Sequence, residues 1–377
     1  MYRTKNLILV ALLMIIAAGT ISSGCSRSKP PILIGLAVNL IGLGGAEGAN
    51  VRDAAQLAVD EINILGGSAG RPLQLLVKDD GVSEQNALKA DKELIDEGVL
   101  AIIGHSTSQI SIIAEPYVTS QKALLISPYT GTTKLSGKDD LFFRTSVDNA
   151  VYGKALTALL NRWQMNNVTL ILDRANKKIS EDYLDLALTN FNGTIQDIQV
   201  NSSTAVDWQK IVDNILKQHP QAVVMLTGTE MTGLACQKLR AANYNGEIIT
   251  TVWSQTPDLL EYGLDAVDGI TILTFVNPDD KRPAFRQFAN ALRQRYNTFP
   301  RAKSVRAYEA VYIIAEALKR CSANPTSTDL KNALLAAPFE TLLGPLRFDM
   351  YGDVIRPMYI VRINNGRFHN AGEIVLN

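Results

Sequence analysis

The sequence predicts an α/β protein made of two lobes, each built on a doubly wound parallel sheet. Apolar runs such as residues 32–38, 99–103 and 123–126 end at glycine or at polar residues and alternate with stretches of helical spacing. Runs of this kind are typical of strands that are buried on both faces of a parallel sheet. The alternation restarts near residues 141–147, and a chain of 377 residues is long enough for two cores.

The first series of elements opens with a strand at residues 32–38. The helix after it spaces its apolar residues by four and three positions: Val51, Ala55, Ala58, Ile62 and Leu65. A second strand alternates over residues 73–77, and Ser83 can cap a helix that runs to about Glu97. Residues 99–126 then supply strand, helix and strand again, which is the order of a doubly wound sheet.

The second series begins after residue 147 and has four strands separated by helical stretches. These strands are predicted at residues 168–172, 195–200, 222–226 and 248–252. The remainder is predicted as an extended segment at 270–276, helices at 282–298 and 304–319, and short strands and turns at 344–375. Both halves therefore share one architecture.

Composition argues against nucleic acids and strongly charged proteins as partners. The chain has 37 basic and 37 acidic residues, so its formal net charge is zero. No basic stripe indicates a nucleic-acid surface, and no acidic tail indicates a cationic partner. The hydrophobic fraction of 46% is ordinary for a globular protein.

The amino terminus has the pattern of an export signal. Arg3 and Lys5 precede an apolar run at residues 7–18, which is too short for a comfortable membrane span. We therefore expect residues 1–24 to be a signal peptide.

Small residues, Ser22, Ser23 and Gly24, stand immediately before Cys25. This pattern resembles a bacterial lipobox and predicts that Cys25 is lipidated and becomes the mature terminus, with residues 25–31 as a tether. The alternative is plain secretion with an unmodified cysteine. Cys236 and Cys321 could pair in an oxidising compartment, but both fall in apolar helical patterns, which favours two buried free thiols.

Two polar loops follow neighbouring buried strands and form the candidate binding site. The first contains His105, Ser106, Thr107 and Ser108, and the second contains Tyr129, Thr130 and Gly131. Consecutive parallel strands end at the same edge of a sheet, where open α/β sheets bind ligands. The two loops could therefore hold one small polar ligand. The alternative is that the hydroxyls only cap helices.

The sequence signals for a dinucleotide site, a metal site or catalysis are weaker than those for the two loops. The loop GLGGAEG after the first strand fails the dinucleotide pattern because Glu47 stands in place of the third glycine, and its carboxylate would repel a pyrophosphate. The histidines, His105, His219 and His369, have no metal spacing, and His105 is expected to be an exposed loop residue. We expect no cofactor, no metal and no enzymatic activity.

Several stretches in this order resemble the branched-chain amino-acid-binding family, the type I periplasmic binding proteins of ABC transporters. They are ILIGLAVNLIGLGGAEGANVRDAAQLAVDEINILGGSAGRPLQLLVKDD, GVLAIIGHSTS, LLISPYT, FFRTSVDNAVYG and GPLRFDMYGDVIRPMYIVRINNGRF. Together they cover almost the whole chain after the tether.

The resemblance implies two Rossmann-like lobes joined by three crossover strands, with the ligand between the lobes. Carried onto this chain, the crossovers fall near residues 143–147, 270–276 and 344–348. Lobe 1 would take residues 32–146 plus 276–343, and lobe 2 would take residues 147–275 plus 344–377.

The resemblance also implies binding residues. The family's loop serine, which holds an amino acid's carboxylate, aligns with Ser108, and its second loop aligns with Tyr129, Thr130 and Gly131; Gly131 occupies a position that is threonine in the family. An acidic residue for the ammonium aligns with Glu230. The Tyr-Gly expected after the first strand of lobe 2 is missing, since the chain reads Asp-Arg-Ala-Asn at residues 173–176.

Trp253 ends a lobe 2 strand and could form a wall of the pocket, although a buried core tryptophan is an equal alternative.

The sequence therefore predicts a monomeric, lipid-anchored solute-binding protein outside the cytoplasm. It would capture an amino acid or a related compound and deliver it to an ABC permease. The alternative is a sensory lipoprotein of the same fold that signals to a partner. In neither case would the chain bind nucleic acid or contact the membrane except through its lipid.

Overall fold

Two sheets organise the computed structural model, which describes residues 29–42, 44–81, 83–174, 182, 191–354 and 356–376. The predicted signal peptide, Cys25 and most of the predicted tether lie outside these residues. The helical stretch predicted between the strands at 168–172 and 195–200 also falls almost wholly outside them.

The first sheet has five parallel strands in the order β2-β1-β3-β4-β5. These are β1 Ile32–Val38, β2 Leu73–Asp79, β3 Ala101–Gly104, β4 Leu124–Ser127 and β5 Phe142–Arg144. Helices α1 Gly45–Ile64, α2 Glu84–Asp96 and α3 Ser108–Ser120 connect the first four. The predicted cap of α2 is confirmed, because the Ser83 hydroxyl accepts from the Asn86 N–H at 3.2 Å.

The chain then enters a second sheet through helix α4 Asn149–Arg162. Its parallel strands are β6 Asn167–Asp173, β7 Thr194–Val200, β8 Ala222–Leu226, β9 Glu247–Thr251 and β10 Thr271–Thr274. Described helices between them are α5 Trp208–Gln218, α6 Thr229–Ala241 and α7 Pro257–Gly263. The apolar run over Ala222–Leu226 is fully buried, as a central parallel strand should be.

After β10 the chain returns to the first sheet. It adds helices α8 Pro283–Tyr296, α9 Ala302–Leu318 and α10 Ser327–Ala336 and a small hairpin of β11 Phe339–Thr341 and β12 Gly344–Leu346. Apolar residues of α9, such as Ala310 and Ile314, share one core with Val51 and Val59 of α1. These later helices therefore complete the first lobe.

Strands β13 Met358–Asn364 and β14 Arg367–Ile374 finish the second sheet, whose order is β14-β13-β10-β9-β8-β6-β7. Both are antiparallel to their neighbours, so this sheet is mixed at one edge.

The last passage between the lobes comes later than residues 344–348, where the sequence placed it. Leu346, Phe348 and Val354 pack in the core of the first sheet, and the Phe348 ring lies 5.1 Å from the Phe143 ring. The next strand begins at Met358 and belongs to the second sheet. Aromatic packing against Phe143, which no local pattern shows, keeps this segment on the first lobe.

Candidate functional site

The two predicted loops meet at the carboxyl edge of the first sheet. Thr107 caps α3, since its hydroxyl accepts from the Ile110 N–H at 3.3 Å. Ser108 begins that helix, and its Oγ accepts from the Gly131 N–H at 3.2 Å. The structure therefore brings Thr107, Ser108 and the loop of Tyr129, Thr130 and Gly131 together. The alternative that the hydroxyls cap a helix also holds for Thr107.

A buried chain of hydroxyls fixes the second loop. Ser127 Oγ donates to Thr130 Oγ1 at 2.9 Å, and Thr130 Oγ1 donates to Ser111 Oγ at 2.5 Å. Ser127 Oγ also accepts from the Thr130 N–H at 3.0 Å. Thr130 is fully buried, so its hydroxyl serves to hold the loop in place.

Gly131 packs closely against Asn149. Its carbonyl accepts from the Asn149 N–H at 2.6 Å, and a Cβ at this position would lie 2.6 Å from Asn149 Oδ1. A threonine, which the family resemblance implies here, would collide with that amide.

A cavity of about 220 Å³ lies against these loops. Its lining residues come from the first lobe: Asn39, Gly44, Glu47, Gly48, Ser106, Thr107, Tyr129 and Lys303. Thr107 and Tyr129 thus reach the cavity, whereas Ser108, Thr130 and Gly131 are buried and do not line it.

Lys303 and Glu47 form an ion pair at this cavity, with Nζ 2.6 Å from Oε2. The same ammonium lies 4.7 Å from the centre of the Tyr129 ring. Sequence analysis missed Lys303, because it is 256 positions from Glu47 and no local pattern connects them.

His105 is buried, so its expected exposure was wrong. Its Nδ1 lies 3.5 Å from Asp80 Oδ2 and its Nε2 lies 3.1 Å from Asp91 Oδ1, and all three side chains are fully enclosed. Burial alone would lower the pKa of His105, but the two carboxylates more than offset burial and raise it to about 9. Asp80 and Asp91 come from other elements, which is why the loop sequence did not reveal them.

Arg306 of α9 is a second buried cation that sequence analysis missed. It is 2% exposed; its Nη1 donates to Ser146 Oγ at 3.3 Å, and its guanidinium lies 4.9 Å from the centre of the Phe275 ring. Ser146 and Phe275 belong to the first two predicted crossovers, so Arg306 sits where the chain passes between lobes. Burial lowers the pKa of Arg306 to about 10.

The second lobe places Glu230 and Trp253 near each other at the carboxyl edge of its sheet. Glu230 lies exposed in the first turn of α6, and Trp253, which is half-buried, belongs to a short 3-10 helix after β9. Thr229 Oγ1 donates to the Trp253 carbonyl at 3.2 Å and thereby joins the two segments.

An ion pair joins helices of the two lobes at the surface: Arg301 Nη1 lies 3.2 Å from Asp258 Oδ2. Arg301 caps α9 and Asp258 lies in the first turn of α7.

The cysteines within the described residues, Cys236 and Cys321, are both free. Cys236 is buried as expected, whereas Cys321 is partly exposed at the end of α9.

The described residues contain neither a metal-binding cluster nor a membrane-spanning helix. No three His, Cys, Asp or Glu side chains in that part of the chain are grouped to hold a metal ion. Across the same ranges no helix combines the length and apolar character needed to cross a bilayer.

Comparison with known proteins agrees with this architecture. Leu/Ile/Val-binding protein homolog 1 of Brucella abortus (strain 2308) is 24% identical over 388 aligned residues, which cover 93% of this chain and 94% of that protein. Among solved structures, the branched-chain amino acid transporter substrate-binding protein LivJ of Streptococcus pneumoniae, in complex with isoleucine, has a TM-score of 0.81 at 22% identity. That match covers 91% of this chain and 99% of LivJ.

A solute-binding protein of an ABC transporter from Rhodopseudomonas palustris BisB5, in complex with 3,4-dihydroxybenzoic acid, also has a TM-score of 0.81, at 20% identity. The match covers 92% of this chain and 98% of the Rhodopseudomonas palustris chain. The two lobes, their strand order and the edge-of-sheet cavity are the type I periplasmic binding protein fold that the sequence predicted. The sequence profile of the family described as periplasmic binding protein matches residues 31–367, and the chain therefore belongs to that family.

Proposed function

We propose that this chain captures a small polar ligand, an amino acid or a related compound, between its lobes and delivers it to an ABC permease outside the cytoplasm. The observation that carries this proposal is the cavity at the carboxyl edge of the first sheet, lined by Thr107 and Tyr129. Open α/β sheets bind their ligands at that edge.

In this proposal Thr107 and Tyr129 contact the ligand directly. Ser108, Thr130 and Gly131 shape the loops from behind. Glu230 and Trp253 approach from the second lobe when the cleft closes. The lobes move as bodies with the predicted boundaries, except that residues up to Val354 travel with the first lobe.

The ligand class within this family is broad. The solved relatives above are complexes with isoleucine and with 3,4-dihydroxybenzoic acid, so the fold accommodates both amino acids and aromatic acids. Both compounds are small and polar and both have a carboxylate.

The experiment is a thermal-shift screen of amino acids, amides, ureas and organic acids. A ligand that binds only the folded protein raises its unfolding midpoint, and about 100-fold excess over the dissociation constant gives about 2.7 kcal/mol. Small-angle scattering with the best compound should then show a smaller radius of gyration, because closure brings the lobes together. A full screen without any stabilising compound, or binding without compaction, would count against the proposal.

We further propose that Cys25 anchors the protein to a membrane through lipid. Mass spectrometry of protein extracted from bacterial membranes should find an acylated Cys25 at the amino terminus. Recovery of an unmodified peptide that spans Gly24 and Cys25 would contradict this.

A further inference from the structure

Three arginines are buried in the part of the chain that the structure describes, and one of them differs from the others. Arg144 forms ion pairs with Asp353 and Asp148, and Arg356 forms one with Glu309. Arg306 is as deeply buried, yet no described carboxylate oxygen lies within 4.0 Å of its nitrogens. A buried charge without a partner is costly, so its retention calls for a physical explanation.

The immediate surroundings of Arg306 do not neutralise it. The hydroxyl of Ser146 takes one hydrogen bond, the Phe275 ring lies against the guanidinium, and Nε has no hydrogen-bond partner. Glu47 acts on Arg306 electrostatically, but its carboxylate is already paired with Lys303. The positive charge of Arg306 is therefore left for another group.

Tyr129 connects Arg306 to the cavity. Its side chain lines the cavity, and its hydroxyl is buried without a hydrogen-bond partner. Lys303, one helical turn before Arg306 on α9, lines the same cavity and places its ammonium 4.7 Å from the centre of the Tyr129 ring, so Arg306 belongs to the helix that packs against this phenol. By contrast, Thr130 Oγ1 is occupied by the hydroxyls of Ser127 and of Ser111 in α3, and Ser108 Oγ already accepts from the Gly131 N–H.

We propose that Arg306 and the Tyr129 hydroxyl together bind a carboxylate of the ligand, so that the substrates of this protein are organic acids, with or without an amino group. A carboxylate accepts from several donors at once and suits a guanidinium and a phenol together. Neutral amides, ureas and sugars would leave the buried cation unpaired and would be rejected. The inference rests on the proposed solute-binding function and specifies its ligand class.

The first measurement uses matched acids and amides on the wild-type protein and on Arg306→Met. The probes are leucine with leucinamide, 4-methylpentanoate with 4-methylpentanamide, and benzoate with benzamide. We expect an acid to raise the unfolding midpoint while its amide does not. Arg306→Met should lower the affinity for the acid by about 100-fold or more, as expected when one partner of a buried charge pair is removed.

The second measurement needs no ligand. Arg306→Met removes an uncompensated buried charge, so the free protein should be at least as stable as the wild type. Arg356→Met is the matched control, because it strips Glu309 of its buried partner and should lower the unfolding midpoint. Arg306→Gln repeats the test with a polar side chain.

The outcomes separate this inference from the proposed function. Amides that bind as well as acids, or acids that bind Arg306→Met normally, would overturn the inference and leave solute binding intact. If no probe binds the wild type, the ligand-free comparison decides. An Arg306→Met midpoint that falls as far as that of Arg356→Met, or failure of both Arg306 variants to fold, would make Arg306 structural and overturn the inference.

Discussion

Arg144 and Arg306 are both buried beside segments that pass between the lobes, but their surroundings differ. Arg144 lies 2.6 Å from Asp353 Oδ1 and 3.4 Å from Asp148 Oδ2, and it donates to the Thr132 carbonyl at 2.8 Å. Arg306 has one hydroxyl and one aromatic ring. The first region is electrostatically complete in the absence of ligand, and the second is not.

This difference separates buried charges that hold the fold from a buried charge that awaits a partner. Carboxylates close to a cation offset part of the cost of removing it from water. Where they are lacking, the cost remains in the free protein and is recovered when an anion arrives. The four predictions that follow test where this distinction holds.

The largest effect is expected from Arg144→Met. This substitution removes the partner of Asp353 and Asp148 in a largely buried site. It should lower the free energy of unfolding by about 3–5 kcal/mol. Urea unfolding measures this. Arg52→Met is the control, since Arg52 forms a more exposed pair with Asp53 and its loss should cost about 1 kcal/mol or less. If Arg144→Met and Arg52→Met lowered the free energy of unfolding equally, the carboxylates around Arg144 would not be what stabilises the fold there.

Glu230→Gln tests whether the second lobe supplies the opposite charge to Arg306. If the ligand has an ammonium group, closure would bury Glu230 against it, and the variant should lose about 2–5 kcal/mol of binding free energy for leucine. Binding of 4-methylpentanoate, which has no ammonium, should not change. Calorimetry with both compounds measures this, and Glu261→Gln, another exposed carboxylate of the second lobe, is the control. Normal leucine binding by Glu230→Gln would exclude an ammonium site at this residue.

His105 extends the comparison to a cation with two carboxylates. Because its folded pKa of about 9 exceeds its ordinary value of 6.5, the stabilisation is complete below pH 6.5 and is lost as the pH rises through about 9. The loss should be on the order of 3 kcal/mol at most. Urea unfolding between pH 6 and pH 9.5 measures it.

Asp91→Asn is the control for His105. The variant keeps the side-chain shape but removes one carboxylate, so the folded pKa of His105 should fall and the alkaline loss of stability should shrink. An equally steep loss in this variant would assign the pH dependence to other groups.

The sequence was informative wherever a signal is local. The bounds of β1 and β8 match the predicted strands, because each is a short apolar run with polar neighbours. The two loops of the candidate site were predicted because they directly follow such runs. Arg306 and Ser146, in contrast, are 160 positions apart, and only the folded chain brings them together. His105 was misplaced for the same reason, since its burial depends on Asp80 and Asp91.

Ser108→Ala has the smallest expected effect and decides between two positions for the ligand's carboxylate. Family resemblance implies that the Ser108 hydroxyl holds this group. In the structure Ser108 is 2% exposed and its Oγ accepts from Gly131, so we expect mainly a structural loss of about 0.5–1.5 kcal/mol for one neutral hydrogen bond. Acid affinity should stay within about tenfold of the wild type, well short of the loss expected for Arg306→Met. Calorimetry of Ser108→Ala and Arg306→Met with the same acid measures both. A loss of about 100-fold for Ser108→Ala with little loss for Arg306→Met would place the carboxylate at the loop and leave Arg306 unexplained, because a neutral hydroxyl cannot compensate a buried guanidinium.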